Sequence, residues 1–282
     1  MATNAPLGDR LALSARLEPR RTYVIAAPLT AAVPDALYWD TAQPYHYAHL
    51  QPDGSGKEGG WLLLTGGEDH RTGEEGARAD VAARFRRLEA WSRERFPIGR
   101  TRFRWSGQVY EPVDGVAFIG RSPLFSGKVF VATGDSGQGI THGVLAGMLL
   151  RDLVLGRTNA WAGLYDPRRI PLRSAPELAR VNLDVARHYA DHLLAEPAPA
   201  ADPAPGEGLV LRRGGKLVAI ARDKNGAIRE LSAVCPHLGC VVHWNAAERS
   251  WDCPCHGSRF AATGELLTGP ARSPLERLSP LR

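Results

Sequence analysis

All four cysteines of this 282-residue chain fall between positions 235 and 255. They stand in two short runs, Cys235-Pro-His237-Leu-Gly-Cys240 and Cys253-Pro-Cys255-His256-Gly-Ser258, with 15 residues between His237 and Cys253. Each run offers one thiol and one imidazole, spaced C-x-H in the first and C-x-x-H in the second. A [2Fe–2S] centre with thiolates on one iron and imidazoles on the other needs such a pair of loops. A zinc knuckle would instead take two cysteines from one loop and two histidines from a helix. Both runs mix the two ligand types, which favours iron. Clustered cysteines in a chain otherwise free of them also suit metal or redox work in a reducing, cytoplasmic setting better than a disulfide scaffold.

A second stretch could hold a ligand through its backbone. Gly134-Asp135-Ser-Gly137-Gln138-Gly139-Ile140-Thr141-His142-Gly143 follows the strand-like KVFVAT and opens a helix bearing Val144, Leu145, Met148 and Leu149. Unpaired amides at a helix start, with glycines allowing close approach, suit an anion or a flavin carbonyl. The same residues would equally make a tight turn and a slim, closely packed helix. On the residues alone both readings stand. Gly54-Ser-Gly56-Lys-Glu-Gly59 also matches G-x-G-x-x-G, but the next element is the strand-like WLLLT and not a helix. A hairpin loop is the expectation there.

The elements around these loops are of two kinds. Thr22–Ala27, Tyr38–Leu50 and Trp61–Thr65 read as strands, as do Phe118–Ile119 and Lys128–Thr133. A helix is expected from Thr72, with Glu75 at capping-box spacing, carrying Val81, Phe85, Leu88 and Trp91 until Pro97. Another follows the glycine cluster to about Gly156, and a third runs from Pro176 to Leu194. Residues 195–206, AEPAPAADPAPG, read as an extended linker spanning at most about 37 Å. Beyond it, Leu209–Arg213, Lys216–Asp223 and Ile228–Val234 alternate with Gly-Gly and Asn-Gly turns as an all-β meander.

Length and hydrophobic content fit about two domains with real cores. The net charge of +5 is concentrated after the linker, where 11 basic residues stand against 7 acidic ones. That is too mild for a nucleic-acid stripe, though it could bias the approach of an acidic partner. The longest apolar run, Val144–Leu155, is broken by Arg151 and Asp152, so no membrane span is expected, and the first residues carry no apolar signal core.

Trp105-Ser-Gly107-Gln108, Pro112-x-Asp114-Gly115, Ile119-Gly120 and ATGDSGQGITHGVLAG resemble the C-terminal portion of FAD-dependent oxidoreductases of the D-amino-acid/glycine oxidase family. The resemblance covers residues 1–194. It implies an α+β flavoprotein portion in which Gly134, Asp135, Gly137, Gln138, Gly139, Ile140 and Thr141 line FAD. It also implies that the strands of residues 22–65 belong to the substrate half. His142 reads as packing or capping in preference to catalysis. The family's N-terminal dinucleotide fingerprint is missing, so the chain is expected to lack about the first 40% of its parent, a length set by two-domain sizes, and to bind FAD weakly. Gln108 and Tyr110 stand where the family's oxidases tend to carry a carboxylate-binding arginine, which argues against a simple α-amino acid substrate.

The cysteine runs resemble those of Rieske proteins. This resemblance implies Cys235 and Cys253 on the buried iron, His237 and His256 on the outer one, and a small all-β domain over 207–282. It implies a disulfide between the spare Cys240 and Cys255, with reduced free thiols as the alternative. Ser258 is placed to donate a hydrogen bond to a cluster sulfur, and Gly269-Pro270-Ala271 resembles the loop that covers the cluster. High-potential relatives carry Tyr where this chain has Phe260, so a potential in the middle or lower part of the Rieske window is expected. Trp244 and Trp251 flank the loops and read as packing. Together these readings imply an electron-transfer oxidoreductase: a flavin half acting on a small amine-type substrate, and a cluster passing electrons to or from a protein partner. The alternative is a Rieske carrier or redox sensor whose first 194 residues bind no flavin.

Overall fold

In a computed structural model of the chain, which describes residues 2–6, 13–54, 60–73, 78–123, 128–170, 172–194 and 202–278, the aromatic and β-branched runs become strands. The residues separate into two units by their internal contacts. One comprises Arg20–Arg71 and Ala77–Gln108, the other Met1–Pro19, Thr72–Gly76 and Val109–Arg282.

The first unit is built on β1 (Leu17–Pro28), β2 (Tyr38–Trp39), β3 (His46–Pro52), β4 (Trp61–Arg71), helix α1 (Arg78–Arg95) and β5 (Phe103–Pro112), with β1 before Arg20 and β5 after Gln108 counted in the second. The sheet order is β2-β3-β4-β1-β5, and β4 pairs antiparallel with both β3 and β1. The stripe expected on α1 is present. Val81 and Leu88 are buried against Tyr23 and Ile25, with Phe85 packed beside them, and Trp91 lies against Phe96 and Leu63.

Two expectations change here. Tyr38–Leu50 is not one strand but β2 and β3, because Pro44 has no N–H to give a ladder and Asp40 accepts from the amides of Ala42 and His46 to close a turn. The helix is described from Arg78, and Thr72 does not start it. The Thr72 amide donates to the Pro19 carbonyl, and Gly73 turns the chain at φ +84. Glu75 lies outside the described residues, as do residues 55–59 of the glycine hairpin, whose flanking strands pair from Pro52 with Trp61.

The second unit holds both stretches of interest. β6 (Phe118–Arg121) and β7 (Phe130–Thr133) form a hairpin on which α2 (Gly139–Val154) lays Ala146 and Leu149 against Ala117 and Ile119. After the short α3 (Ala162–Tyr165), the expected third helix is two: α4 (Ala175–Tyr189) and α5 (Asp191–Leu194). β8 (Gly208–Arg213), β9 (Lys216–Arg222) and β10 (Ile228–Ser232) form the meander. A second meander of β11 (His243–Asn245), β12 (Ser250–Asp252), β13 (Arg259–Ala261) and β14 (Leu266–Thr268) carries the cysteine loops. Residues 195–201 of the linker lie outside the described residues. Asp202 pairs with Arg222 at 2.8 Å, and the Gly206 amide donates to the Arg222 carbonyl. No helix among the described residues is long and apolar enough to cross a membrane.

The Pro-x-Asp-Gly motif has a structural task. Asp114 takes a two-point contact from Arg169 at 2.7 and 2.9 Å. Arg169 also donates to the carbonyls of Val116 and Ala117 and stacks on Phe118. Burial alone would raise the Asp114 carboxyl, but the Arg169 guanidinium holds it below the ordinary carboxylate range. A depressed folded-state pKa gives stability that is present above the unfolded value of about 3.9 and is lost as pH falls through the lower folded one. Arg169→Ala is expected to cost about 2–3 kcal/mol near neutral pH. In urea unfolding across pH, its deficit should shrink below about pH 3. A deficit independent of pH would place the effect in packing alone.

Candidate functional site

The two cysteine loops are closed in the same way. The Gly239 amide donates to the Cys235 carbonyl at 2.9 Å, and the Gly257 amide to the Cys253 carbonyl at 3.0 Å. Both turns put their glycine at positive φ, +85 and +76, a conformation costly for any residue with a Cβ. Bonds from Cys235 N–H to Cys240 and from Cys253 N–H to Ser258, each 2.8 Å, fasten the loop ends. The loops project from a core of Trp251, Phe260, Val242, Ala233 and Ala219. Trp244 and Trp251 pack edge to face at 4.8 Å within or against it, as expected.

The four expected ligands come together as two pairs. The thiols of Cys235 and Cys253 are buried and within hydrogen-bond reach of each other. The rings of His237 and His256 stand 5.0 Å apart and nearly perpendicular. The Cys253 thiol, the amides of His237 and Leu238 and the Ser258 hydroxyl all favour negative charge on Cys235, and its pKa is lowered. Cys253 is pushed up by the neighbouring Cys235 and by burial, against the amides of Cys255 and His256. Burial, with His237 alongside, holds His256 down to about 4, so its imidazole is neutral at physiological pH, the state that ligates a metal. Two thiols, two imidazoles and amides aimed at the sulfurs fit an iron–sulfur centre with mixed ligands. Cys240 and Cys255 form a disulfide with Cα atoms 6.4 Å apart, and the Cys255 sulfur lies 3.9 Å from the Val185 carbonyl. Ser258 is fully buried and accepts from the Ala271 amide at 2.9 Å, which fixes the covering Gly269-Pro270-Ala271 segment.

The glycine loop lies along a cavity of about 440 Å³ lined by Gly134, Asp135, Gly139, His142, Gly143 and Gly147, among others. The start of α2 has no side-chain cap, and Gly134 and Gly137 hold φ of +72 and +76. A Cβ at Gly143 or Gly147 would meet nothing within 4 Å, so the cradle is open where a planar group would lie. Ile140 and Thr141 are exposed rather than turned into the core. His142 packs against Tyr165, and its Nδ1 is buried with no hydrogen-bond partner among the described residues. The loop, cavity and uncapped helix start fit part of a flavin.

Residues 1–153 match the family of FAD dependent oxidoreductases, DAO, and residues 197–279 match the Rieske [2Fe-2S] domain. The chain belongs to the FAD dependent oxidoreductase family. This oxidoreductase chain is 33% identical over 269 residues to the Rieske 2Fe-2S iron-sulfur protein YhfW of Bacillus subtilis, covering 94% of this chain and 51% of that one. It is 56% identical over 57 residues to a cytochrome b6-f complex iron-sulfur subunit of Synechococcus sp. (strain JA-3-3Ab), covering 20% of this chain and 33% of the subunit. It therefore spans about half the length of the first relative and a third of the second. Among solved structures, glycine oxidase from Geobacillus kaustophilus aligns with a TM-score of 0.40 at 20% identity, over 55% of this chain and 40% of that one. The oxidoreductase thus combines an FAD-dependent DAO portion of mixed α/β structure with an all-β Rieske [2Fe-2S] domain.

Tyr110 is the residue that the sequence did not single out as a link. Its ring is buried, and its hydroxyl faces the carbonyls of His256 in the second cysteine loop at 3.2 Å and of Gly269 in the Gly269-Pro270-Ala271 segment at 3.0 Å. Its own carbonyl accepts the Ser136 amide of the glycine loop at 3.2 Å. The cysteine loops press close to Gly73 as well, where a Cβ would sit 2.5 Å from the Pro254 Cα. Side chains this far apart in sequence carry no local pattern.

Proposed function

We propose that this oxidoreductase transfers electrons between a flavin held at Gly134–Thr141 and a [2Fe–2S] cluster held by Cys235, His237, Cys253 and His256, serving a small amine-type substrate and a protein redox partner in the cytoplasm. When bound, the flavin supplies two-electron oxidation and the cluster one-electron transfer. In this reading residues 1–194 are the flavin half, 195–206 the linker and 207–282 the cluster half. The bridging position of Tyr110 carries the reading. One residue joins the glycine loop, through its backbone carbonyl, to the backbone of the cluster ligand His256, through its side-chain hydroxyl. The Cys240–Cys255 disulfide holds the two ligand loops in register, and the first-loop amides and the Ser258 hydroxyl hold negative charge on Cys235.

The test is stopped-flow reduction of the cluster-loaded chain by reduced FAD without oxygen. The rate is expected to saturate with FAD. Gly143→Leu, which fills the cradle from an exposed helix position, should weaken that saturation about tenfold while reduction by dithionite stays unchanged. A rate that is linear in FAD and indifferent to the substitution would leave the first 194 residues without a flavin role, the behaviour of a stand-alone carrier.

Ser258 sets a second expectation. Its hydroxyl supports the more negative, reduced cluster, so Ser258→Ala should lower the midpoint potential by roughly 50 mV, the one-electron equivalent of about one hydrogen bond. The starting value should lie within about −150 to +300 mV. Protein-film voltammetry reads both, and an unmoved potential would take Ser258 away from the cluster.

A further inference from the structure

A second group of ligating side chains converges where α4, α5 and β11 meet, and the electron-transfer reading does not use it. Asp191 Oδ2 lies 3.2 Å from His243 Nε2 and 3.4 Å from His188 Nδ1. The three side chains are 20 to 32% exposed, so the group opens to solvent on one side.

The protons of a plain hydrogen-bonded triad fit this arrangement poorly. His243 Nδ1 is 2.8 Å from the Gly73 carbonyl oxygen. A carbonyl only accepts, so Nδ1 carries the hydrogen, and a neutral ring then presents a lone pair at Nε2. That lone pair faces a carboxylate oxygen, a second acceptor. A positive centre belongs between them. A further proton on His243 would satisfy this contact, yet it leaves His188 at 3.4 Å from the same oxygen, long for a hydrogen bond. A metal ion accounts for both distances. With bonds of 2.0–2.1 Å, ligand atoms on a tetrahedron stand about 3.3 Å apart, between the two observed separations. The Nδ1–H to carbonyl bond is also the contact that fixes a ligating imidazole with its other nitrogen free.

We propose that His188, Asp191 and His243 form a site for a first-row divalent transition metal, distinct from the cysteine–histidine centre, with a solvent-facing coordination position. Two imidazoles and one carboxylate select an ion of the zinc or iron type over calcium or magnesium. The ion would tie the α4–α5 corner to β11. That corner already grips the first cysteine loop: Tyr189 Oη donates to the Leu238 carbonyl at 2.6 Å, and His192 Nε2 to the Gly239 carbonyl at 2.7 Å.

Equilibrium dialysis of the iron-loaded chain against Zn²⁺, followed by elemental analysis of zinc and iron, tests the site. One zinc per chain beyond the cluster irons is expected. Asp191→Asn and His188→Gln should each weaken zinc binding roughly tenfold or more while the iron content and the visible spectrum of the cluster persist. A wild-type chain that takes up no zinc, or two variants that retain it at unchanged affinity, would overturn the proposal and leave a protonated His243 paired with Asp191.

Discussion

Cys253→Ala is expected to deprive the chain of its cluster iron and to abolish the cooperative unfolding of the segment that carries the cysteine loops. The reason is linkage. Ligand loops such as these are short and turn-rich, and their ligand set exists only in the folded chain, so metal binding is also folding free energy, on the order of 10 kcal/mol for a structural site. A domain's whole stability is of about that size. Among the three small strands behind the loops, Ser250–Asp252, Arg259–Ala261 and Leu266–Thr268, the large apolar side chains that are buried are Trp251 and Phe260. Such a core should not hold the loops unaided. Iron analysis and circular dichroism on heating would check the outcome. A variant with full iron and an unchanged transition would mean that Cys253 is not a ligand.

Asp252→Ala should be nearly as damaging, although Asp252 ligates nothing. It is fully buried and accepts from Arg259 Nε at 3.0 Å, Ser250 Oγ at 2.8 Å and Asn245 Nδ2 at 3.0 Å. Arg259 itself is buried and reaches Glu248 and Ser250 as well. Removing the carboxylate leaves a buried guanidinium short of its partner, which costs about 3–5 kcal/mol. The loss falls directly on the residue before Cys253, so iron retention on mild heating should decline along with stability. Asp252→Asn, which keeps the shape and part of the hydrogen bonding, should lose less. Chemical unfolding of the three proteins gives the ranking, and a loss below about 1 kcal/mol for alanine would remove this network from the support of the cluster.

The cluster loops were legible because their chemistry is local. Cys235 with His237, and Cys253 with His256, are fixed within each loop by residue spacing, and the glycines at 239 and 257 reveal the positive φ that closes them. The glycine loop ahead of α2 was legible for the same reason. Its role was not, since a turn with a slim helix and a ligand cradle share one residue pattern. The break of the last helix at Ala190 escaped notice because the apolar stripe through Leu178, Val181 and Val185 continues to Tyr189. The contacts of Tyr110 and Asp252 were invisible for a different reason. Tyr110 meets His256 across 146 positions, and the Asp252 group gathers residues from three strands. Only the folded chain brings such partners together.

The mixed ligand set is the centre of this account, and pulsed paramagnetic resonance of the reduced chain tests it most directly. With ¹⁵N-histidine incorporated into otherwise ¹⁴N protein, couplings from two directly bound imidazole nitrogens are expected, and His256→Cys should remove one of them. A reduced cluster with no directly coupled histidine nitrogen would contradict ligation by His237 and His256, and with it the assignment of the site.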